Sequence, residues 1–219
     1  MAEITDAVVI RMLRRIAERI ESEKDHLCEL DSAVGDGDHG VSMTIGMRAV
    51  TRNLDELEEP SAAAAFRSAS EAFADDVGAA IGPIFEELFA SVATTLERHP
   101  DLGARDTWVA VFEAIADATQ KTGGARPGDK TLVDAWVPAA AAMRTAAAEG
   151  ADLATCLARA SDAAWQAVKD TAALVPRLGR ASRLGERAKG HPDAGATSAS
   201  IIIEVMRDEL GGPTATTGG

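Results

Sequence analysis

Apolar residues recur at every third or fourth position through most of the chain, the spacing of one buried face of an α-helix. The first stripe is Val9, Leu13, Ile16 and Ile20, with Arg and Glu between its members. The only strand-like run, residues 201–203, lies inside a longer helical pattern. The pattern therefore predicts an all-α chain of eight helices, near residues 5–25, 41–57, 61–76, 83–98, 106–119, 131–149, 152–168 and 197–210.

Local signals at the helix ends support these boundaries. Ser61, Asp106 and Asp152 are suited to cap their helices, and Thr131 with Asp134 resembles a capping box. Pro138 predicts a bend within the sixth helix. Because most connections are short, consecutive helices are expected to be antiparallel neighbours. We predict a single-domain, eight-helix, up-and-down antiparallel bundle or barrel over residues 1–210, followed by a disordered tail, 211–219.

The connections of such a bundle alternate between its two ends. The even-numbered ones, 58–61, 98–105 and 149–152, are chemically plain. The odd-numbered ones are an Asp/Gly turn at 31–40, the break at 78–83, the loop at 123–130 and the basic segment, residues 174–194. The topology predicts that these four unusual connections meet at one end, where we expect a site.

Composition narrows the class of partner. The 219 residues carry a net charge of −13 and a pI of about 4.7, which argues against a nucleic-acid surface and against anionic membranes. Cys28 and Cys156 are the only cysteines and have no metal-type spacing, which indicates reduced thiols in a cytoplasmic protein. The sequence has no signal-peptide start and no apolar run long enough to cross a membrane.

The Asp/Gly turn holds Asp31, Asp36 and Asp38 within eight residues. Carboxylates this close repel one another unless a cation lies among them, and hard oxygen ligands suit Mg²⁺ or Ca²⁺. The alternative is a solvated acidic turn. An EF-hand that starts at Asp36 would place Met47 where a Glu is required, and residues 123–131 are one residue too long for a Walker A loop.

The predicted end also gathers helix N-termini and the arginines of the basic segment. Both favour phosphate groups, and carboxylates beside phosphates normally share a divalent metal. The combination predicts a Mg²⁺-nucleotide site built without a sheet. The basic segment is interpreted as a closing lid over it, with a solvated connection as the alternative.

Four motifs in order resemble one family. They are Asp31-x-x-x-x-Asp36-Gly37-Asp38-His39-Gly40, the run from Pro127 to Thr131, the run from Gly179 to Arg187, and Gly190-His191-x-Asp193-x-Gly195-Ala196-Thr197-Ser198. Together they resemble the L subunit of dihydroxyacetone kinase, over nearly the whole chain. The resemblance implies an eight-helix barrel that holds ADP or ATP through Mg²⁺ at one end.

The resemblance also implies a role for particular residues. Asp31, Asp36 and Asp38 match metal ligands, and His39 and Arg180 match residues that act on the phosphates during transfer, with a helix-capping histidine as the alternative for His39. The other positions match nucleotide contacts: Gly40, Val41 and Ser42 beside the phosphates, Ala80 and Ile81 in the facing turn, Gly123, Gly124 and Leu132 near the adenine, and Asp193, Ala194 and Gly195 in the closing turn. In that facing turn Ile81 stands where the family usually has serine.

The implied function is a phosphotransferase subunit. It would deliver a phosphoryl group to a ketose held by a separate K subunit, either from exchanging ATP or from resident ADP that a phosphocarrier protein rephosphorylates. The ketose, dihydroxyacetone or a four-carbon sugar, is left open, as is a homodimer. The alternative function is a non-catalytic, nucleotide-sensing module that regulates a partner protein.

Overall fold

The helical pattern of the sequence is reproduced in the computed structural model, which describes residues 3–212 except for the side chain of Arg180. Between residues 171 and 194, two short 3-10 turns span Arg180–Ala188 and are interrupted at Gly185. The described residues contain no strand, so the all-α prediction is confirmed. The helices are α1 (Asp6–Ser22), α2 (Lys24–Ser32), α3 (His39–Asp55), α4 (Ala62–Asp76), α5 (Ile81–Arg98), α6 (Arg105–Gly123), α7 (Val133–Ala148), α8 (Leu153–Thr171) and α9 (Ala194–Leu210).

Eight of the helices form a closed ring. Each helix from α3 to α9 packs against the next, α9 packs against α1, and α1 packs against α3. The apolar stripe of every ring helix faces a shared core; Val9, Leu13 and Ile20 of α1, for example, are completely buried. The eight-helix barrel is therefore confirmed, with α2 as an additional short helix that links α1 to α3 and contacts α9.

The sequence analysis missed α2, because it ended the first helix near Asp25 and placed Asp31 in an open turn. The chain instead breaks for one residue at Glu23 and resumes as a helix to Ser32, with Leu27 buried in the core. The break is small because Glu23 donates its backbone N–H to Arg19 and accepts one from Leu27. Asp31 consequently lies in the last turn of α2.

Most of the predicted caps are present. Ser61 Oγ accepts a hydrogen bond from Ala64 N at 3.2 Å, and Asp152 Oδ1 accepts one from Thr155 N at 2.8 Å. Asp134 Oδ2 accepts from Thr131 N, as in a capping box, although Thr131 Oγ1 accepts from Val133 N instead of Asp134 N. Asp106 does not cap α6, because the helix starts one residue earlier than predicted and places Asp106 in its first turn.

No helix in residues 3–212 is long and apolar enough to cross a membrane. Pro138 lies inside α7, as expected. The predicted disordered tail falls mainly on residues 213–219, which lie outside the described residues.

Candidate functional site

The four unusual connections meet at one end of the ring, where they enclose a cleft of about 230 Å³. Its walls come from the Asp/Gly turn, the start of α5, the loop before α7, the basic segment and the start of α9. The lining residues are Asp31, Val34, Gly35, Asp36, Asp38, His39, Ile81, Lys130, Thr131, Leu132, Leu178, Gly179, Ala181, Asp193, Ala194 and Gly195.

The Asp/Gly turn brings three carboxylates together. One oxygen each from Asp31, Asp36 and Asp38 lies within 4.8 Å of the others. Asp31 Oδ2 accepts hydrogen bonds from the backbone N–H groups of Asp38, at 3.0 Å, and His39, at 3.3 Å, which fold the turn back onto α2. Gly37 has φ +78°, in the left-handed region that glycine adopts readily.

The charges of this turn fit a divalent cation. Three carboxylate oxygens at this spacing are the hard ligands that Mg²⁺ and Ca²⁺ prefer. Asp31 also lies at the C-terminal end of α2, where the helix dipole is negative and a further negative charge is unfavourable. A cation among these groups offsets both the repulsion between the carboxylates and the negative end of the helix dipole, so the residues present fit a metal site.

The start of α3 is held close to the start of α2. Gly40 is buried there, and a Cβ atom added to it would lie 2.9 Å from Cys28 Sγ and 3.0 Å from the Lys24 carbonyl carbon. Glycine is therefore required for this approach. Gly40, Val41 and Ser42 lie on the first turn of α3 and outside the cleft lining; Ser42 N donates to Asp38 O at 2.9 Å.

His39 links α3 to α9. Its Nε2 lies 2.9 Å from Ser198 Oγ, and the Ser198 hydroxyl donates to Gly195 O at 3.0 Å. Because that hydroxyl has one proton, the network assigns the imidazole proton to Nε2 and leaves Nδ1 as an acceptor. Burial lowers the His39 pKa to about 4, although the nearby charge of Asp31 opposes the shift, so the ring is neutral at pH 7.

This pairing bears on the predicted role of His39. A neutral ring whose only N–H is given to Ser198 cannot donate to a phosphate unless it leaves Ser198 or takes up a second proton. In the structure His39 therefore joins two helices, and its role as a phosphate donor stays a prediction.

The facing turn places Ile81 in the cleft as the first residue of α5. Its side chain is half-buried and packs against the core. Ala80 precedes the helix outside the cleft lining, and Ala79 takes the left-handed φ of +56°. The position where the family usually has a hydroxyl is thus apolar and part of the wall.

The residues predicted near the adenine divide into two groups. Leu132 lines the cleft, and its backbone N lies 3.2 Å from where a Cβ of Gly195 would be, so these two residues are close neighbours. Gly123 lies beside Ile84 of α5, and Gly124 ends α6 with φ +63°; both lie outside the cleft lining.

The closing turn caps α9 and faces the cleft. Asp193 Oδ2 accepts a hydrogen bond from Ala196 N at 2.7 Å. Burial raises the Asp193 pKa to about 7; the Ala196 N–H and the Lys130 ammonium oppose the shift, and the charges of Asp134 and Asp31 add to it. Asp193, Ala194 and Gly195 all line the cleft, as predicted.

Arg180 begins the 3-10 segment, directly after Gly179 in the cleft wall. Its predicted contact with the phosphates concerns a side chain that lies outside the described part of the chain. Of the other cations of the basic segment, Lys189 pairs with Glu186 at 2.7 Å and Arg177 with Asp129 at 3.5 Å.

Lys130 also lines the cleft, although the sequence analysis assigned it no role in the site. It is 3% exposed, and its Nζ lies within hydrogen-bond distance of three backbone carbonyls of residues 174–191. These partners are 44 to 61 residues away in sequence, so no local signal could reveal them. The remaining unpredicted lining residues are Val34, Gly35, Thr131, Leu178, Gly179 and Ala181.

Comparison with known proteins gives a consistent result. The sequence-family model of the DAK2 domain matches residues 33–208 of this chain. The chain is 31% identical over 198 residues to the ADP-binding subunit of the PEP-dependent dihydroxyacetone kinase of Escherichia coli, covering 90% of this chain and 94% of that protein. It is 32% identical over 201 residues to the corresponding subunit of the second PEP-dependent dihydroxyacetone kinase of Listeria innocua, covering 91% and 92%.

Longer proteins contain a similar region. The chain is 36% identical to the L-erythrulose kinase of Pectobacterium atrosepticum over 87% of its own length but only 32% of that enzyme. Among solved structures, the dihydroxyacetone kinase of C. freundii in complex with AMP-PNP and Mg²⁺ superposes with a TM-score of 0.69 at 23% identity, over 95% of this chain and 35% of that one. This likeness shows that the helical ring is shared.

Proposed function

The chain belongs to the DAK2 domain family, and from this membership we propose that it is the ADP-binding subunit of a dihydroxyacetone-type kinase. In this proposal residues up to 210 form one nucleotide-binding domain. The activity is phosphoryl transfer to a ketose that another subunit holds.

One observation carries the proposal. Three carboxylates that fit a divalent cation line the same cleft as the first residues of α3, α5 and α9, namely His39, Ile81 and Ala194. A helix N-terminus presents unpaired N–H groups and a partial positive charge, which suits phosphate oxygens. A cleft with a metal site on one wall and helix N-termini around it is suited to a nucleotide diphosphate and its Mg²⁺.

The residues of the chain take the following roles in the proposal. Asp31, Asp36 and Asp38 hold Mg²⁺, which when bound neutralises charge between the phosphates. Gly40 and Val41 of α3 and the α5 turn of Ala80 and Ile81 direct N–H groups at the phosphates. Ser42, whose N–H is donated to Asp38 O, offers its side-chain hydroxyl, and Arg180 offsets charge during transfer. Leu132, Gly123 and Gly124 form the adenine side, and Asp193, Ala194 and Gly195 close over the nucleotide.

These groups act by position and electrostatics. Phosphoryl transfer demands little covalent chemistry from the protein, so fixed dipoles and charges can supply most of the rate. Leu178, Gly179 and Ala181 form one wall of the cleft.

The partner is a K subunit that carries the ketose. The E. coli and Listeria relatives are named as subunits of PEP-dependent kinases, which supports resident ADP and a phosphocarrier protein as donor in preference to exchanging ATP. The Pectobacterium relative is an erythrulose kinase, which keeps a four-carbon ketose beside dihydroxyacetone as a substrate. The two free cysteines fit a reducing, cytoplasmic compartment.

Asp36→Ala tests the metal site. Titration of the purified protein with Mg-ADP in a calorimeter should show binding that requires Mg²⁺ and is lost in this variant. Glu59→Ala, which removes an exposed carboxylate from a plain connection, is the matched control and should bind as wild type does. Unchanged binding by Asp36→Ala would remove this carboxylate from the metal shell.

A second experiment tests the reaction. Purified chain is mixed with a K subunit, dihydroxyacetone or erythrulose, and either Mg-ATP or a charged phosphocarrier protein, and ketose phosphate is followed. ADP that survives gel filtration supports the resident mode. No product with either donor would refute the kinase proposal.

Ile81 favours one other function. An apolar side chain in the wall, where the family usually has a hydroxyl, is compatible with a module that binds nucleotide without transferring phosphate and regulates a partner protein. Tight Mg-ADP binding together with no ketose phosphate from either donor would support this module over the kinase.

A further inference from the structure

Lys130 is a buried cation in the turn between α6 and α7. Its side chain is 3% exposed, and burial lowers its pKa, although the charge of Asp193 opposes the shift. Its backbone has φ +62°, in the left-handed region that disfavours residues with a Cβ. A long cationic side chain held in this conformation indicates that its surroundings fix it there.

The ammonium group uses all its donors inside the protein. Lys130 Nζ donates to Leu174 O at 3.3 Å, Ala188 O at 2.9 Å and His191 O at 2.7 Å. A lysine has three N–H donors and no acceptor, so none remains for a phosphate. Although Lys130 lines the cleft, its hydrogen bonds point to the basic segment and not to a ligand.

The three carbonyls belong to both limbs of the basic segment. Leu174 opens the segment after α8, whereas Ala188 ends the 3-10 turns and His191 follows them, so one ammonium group joins the start of the segment to its end. Between them lie Leu178 and Gly179, which form part of the cleft wall. Detaching the ammonium group would therefore release that wall.

The residue beside Lys130 fastens the same segment. Asp129 O accepts a hydrogen bond from Arg177 N at 3.2 Å, and Asp129 Oδ1 lies 3.5 Å from the Arg177 guanidinium. Gly190 N donates to Ala172 O at 2.8 Å, which closes the base of the segment onto α8. Lys130 supplies the contact that spans both limbs.

We propose that Lys130 is a positioning residue, whose buried ammonium group holds residues 174–191 closed as one wall of the nucleotide cleft. Its effect on nucleotide binding rests on the proposed function, whereas its effect on the order of the segment does not.

Hydrogen–deuterium exchange of the full chain without nucleotide tests whether Lys130 holds residues 174–191 in place. Lys130→Met removes the three hydrogen bonds but keeps most of the length of the side chain, and should speed exchange in residues 174–191 at least tenfold while exchange in α5 is unchanged. Lys130→Arg keeps a charged donor group and should restore most of the protection. Lys189→Met removes an exposed lysine from the same segment and is the control. Unchanged exchange in Lys130→Met would overturn the proposal.

Calorimetry with Mg-ADP tests the consequence for the site. Lys130→Met should bind at least tenfold more weakly than wild type, with partial rescue in Lys130→Arg. Weaker binding without faster exchange would mean that Lys130 contacts the nucleotide itself, and would also overturn the proposal. If the wild-type protein does not bind Mg-ADP, the proposed function fails, but the exchange experiment still shows whether Lys130 holds residues 174–191 in place.

A second variant guards against misfolding. Lys130→Gly also removes the ammonium group but suits the left-handed backbone of this position. If Lys130→Met does not fold, the same exchange comparison is made with Lys130→Gly, and protected residues 174–191 in that variant would refute the proposal.

Discussion

Replacing Gly40 with alanine should loosen the packing of α2 against α3 and disturb the metal site. A Cβ at this position would lie 2.9 Å from Cys28 Sγ and 3.0 Å from the Lys24 carbonyl carbon, and closer still to the carbonyl oxygen, whereas ordinary Cβ contacts are 3.4–4 Å. The obstructing atoms at Lys24 are backbone, so a side-chain rotation cannot clear them. The first turn of α2 must therefore move away from α3.

The structure sets the size of the effect. Forcing an extra methyl group into a packed contact costs about 1–3 kcal/mol, and a rigid backbone neighbour places Gly40→Ala near the upper end. The higher helix propensity of alanine returns up to about 1 kcal/mol. We expect the free energy of unfolding to fall by about 2 kcal/mol.

The displacement also reaches the carboxylates, because Asp31 lies at the other end of α2. A misplacement of about 1 Å can cost on the order of 100-fold in a positioned site. Mg-ADP affinity should therefore fall by more than about tenfold.

Urea unfolding and calorimetry check both effects. Gly78→Ala is the control, because a Cβ there meets no atom within 4 Å. If the free energy of unfolding of Gly40→Ala lies within about 0.5 kcal/mol of the wild-type value, which is the usual range of surface substitutions, the reasoning is refuted. An equal loss of stability in Gly78→Ala would also refute it.

Three further outcomes follow from buried or capping groups. The raised pKa of Asp193, about 7, means that between about pH 4 and 7 the folded chain holds a proton that the unfolded chain has lost. The Asp193 contribution to the free energy of unfolding should thus fall as pH rises through this window and level off above it. Urea melts at several pH values should show that this contribution is missing in Asp193→Asn. The opposite contribution of His39, whose pKa is lowered to about 4, remains in both proteins. Trp108→Phe should destabilise by about 1 kcal/mol more than Trp136→Phe, because Trp108 Nε1 donates to a backbone carbonyl at 2.8 Å, whereas Trp136 Nε1 has no partner among the described residues; equal thermal shifts would contradict this. Asp152→Ala should lower the urea midpoint because α8 loses its cap, and an unchanged midpoint would show that water replaces the cap.

The sequence predicted the ring well because its signals are local. A helix with a continuous apolar stripe and a cap such as Ser61 is specified within one stretch of chain, and the alternation of short connections then places the Asp/Gly turn opposite Ile81 and Asp193. Asp31 shows the limit of this reasoning. Its carboxylate was identified from the motif, but its place at the end of a separate helix depends on a one-residue break at Glu23 that leaves the apolar pattern almost unchanged.

Other features depend on distant contacts. A lysine after Gly-Asp is ordinary in a turn, and only the folded chain shows that Lys130 is buried beneath residues 174–191. His39 was predicted from its motif, but its partner Ser198 is 159 residues away, and that partner determines which ring nitrogen carries the proton. Periodicity and capping rules carry no information on such pairs.

The closure of the ring has a consequence for how the protein is made. The first helix completes the barrel by packing against the last, with Arg11 and Glu209 paired at 2.8 Å across the junction. At ribosomal rates of about 5–20 residues per second, α1 waits roughly 10–40 s for α9 to be synthesised. Because the cleft also takes residues from the start of α9, a nascent chain cannot assemble the cleft before α9 has been synthesised. In refolding experiments, the recovery of Mg-ADP binding should accordingly report the final, non-local step of folding.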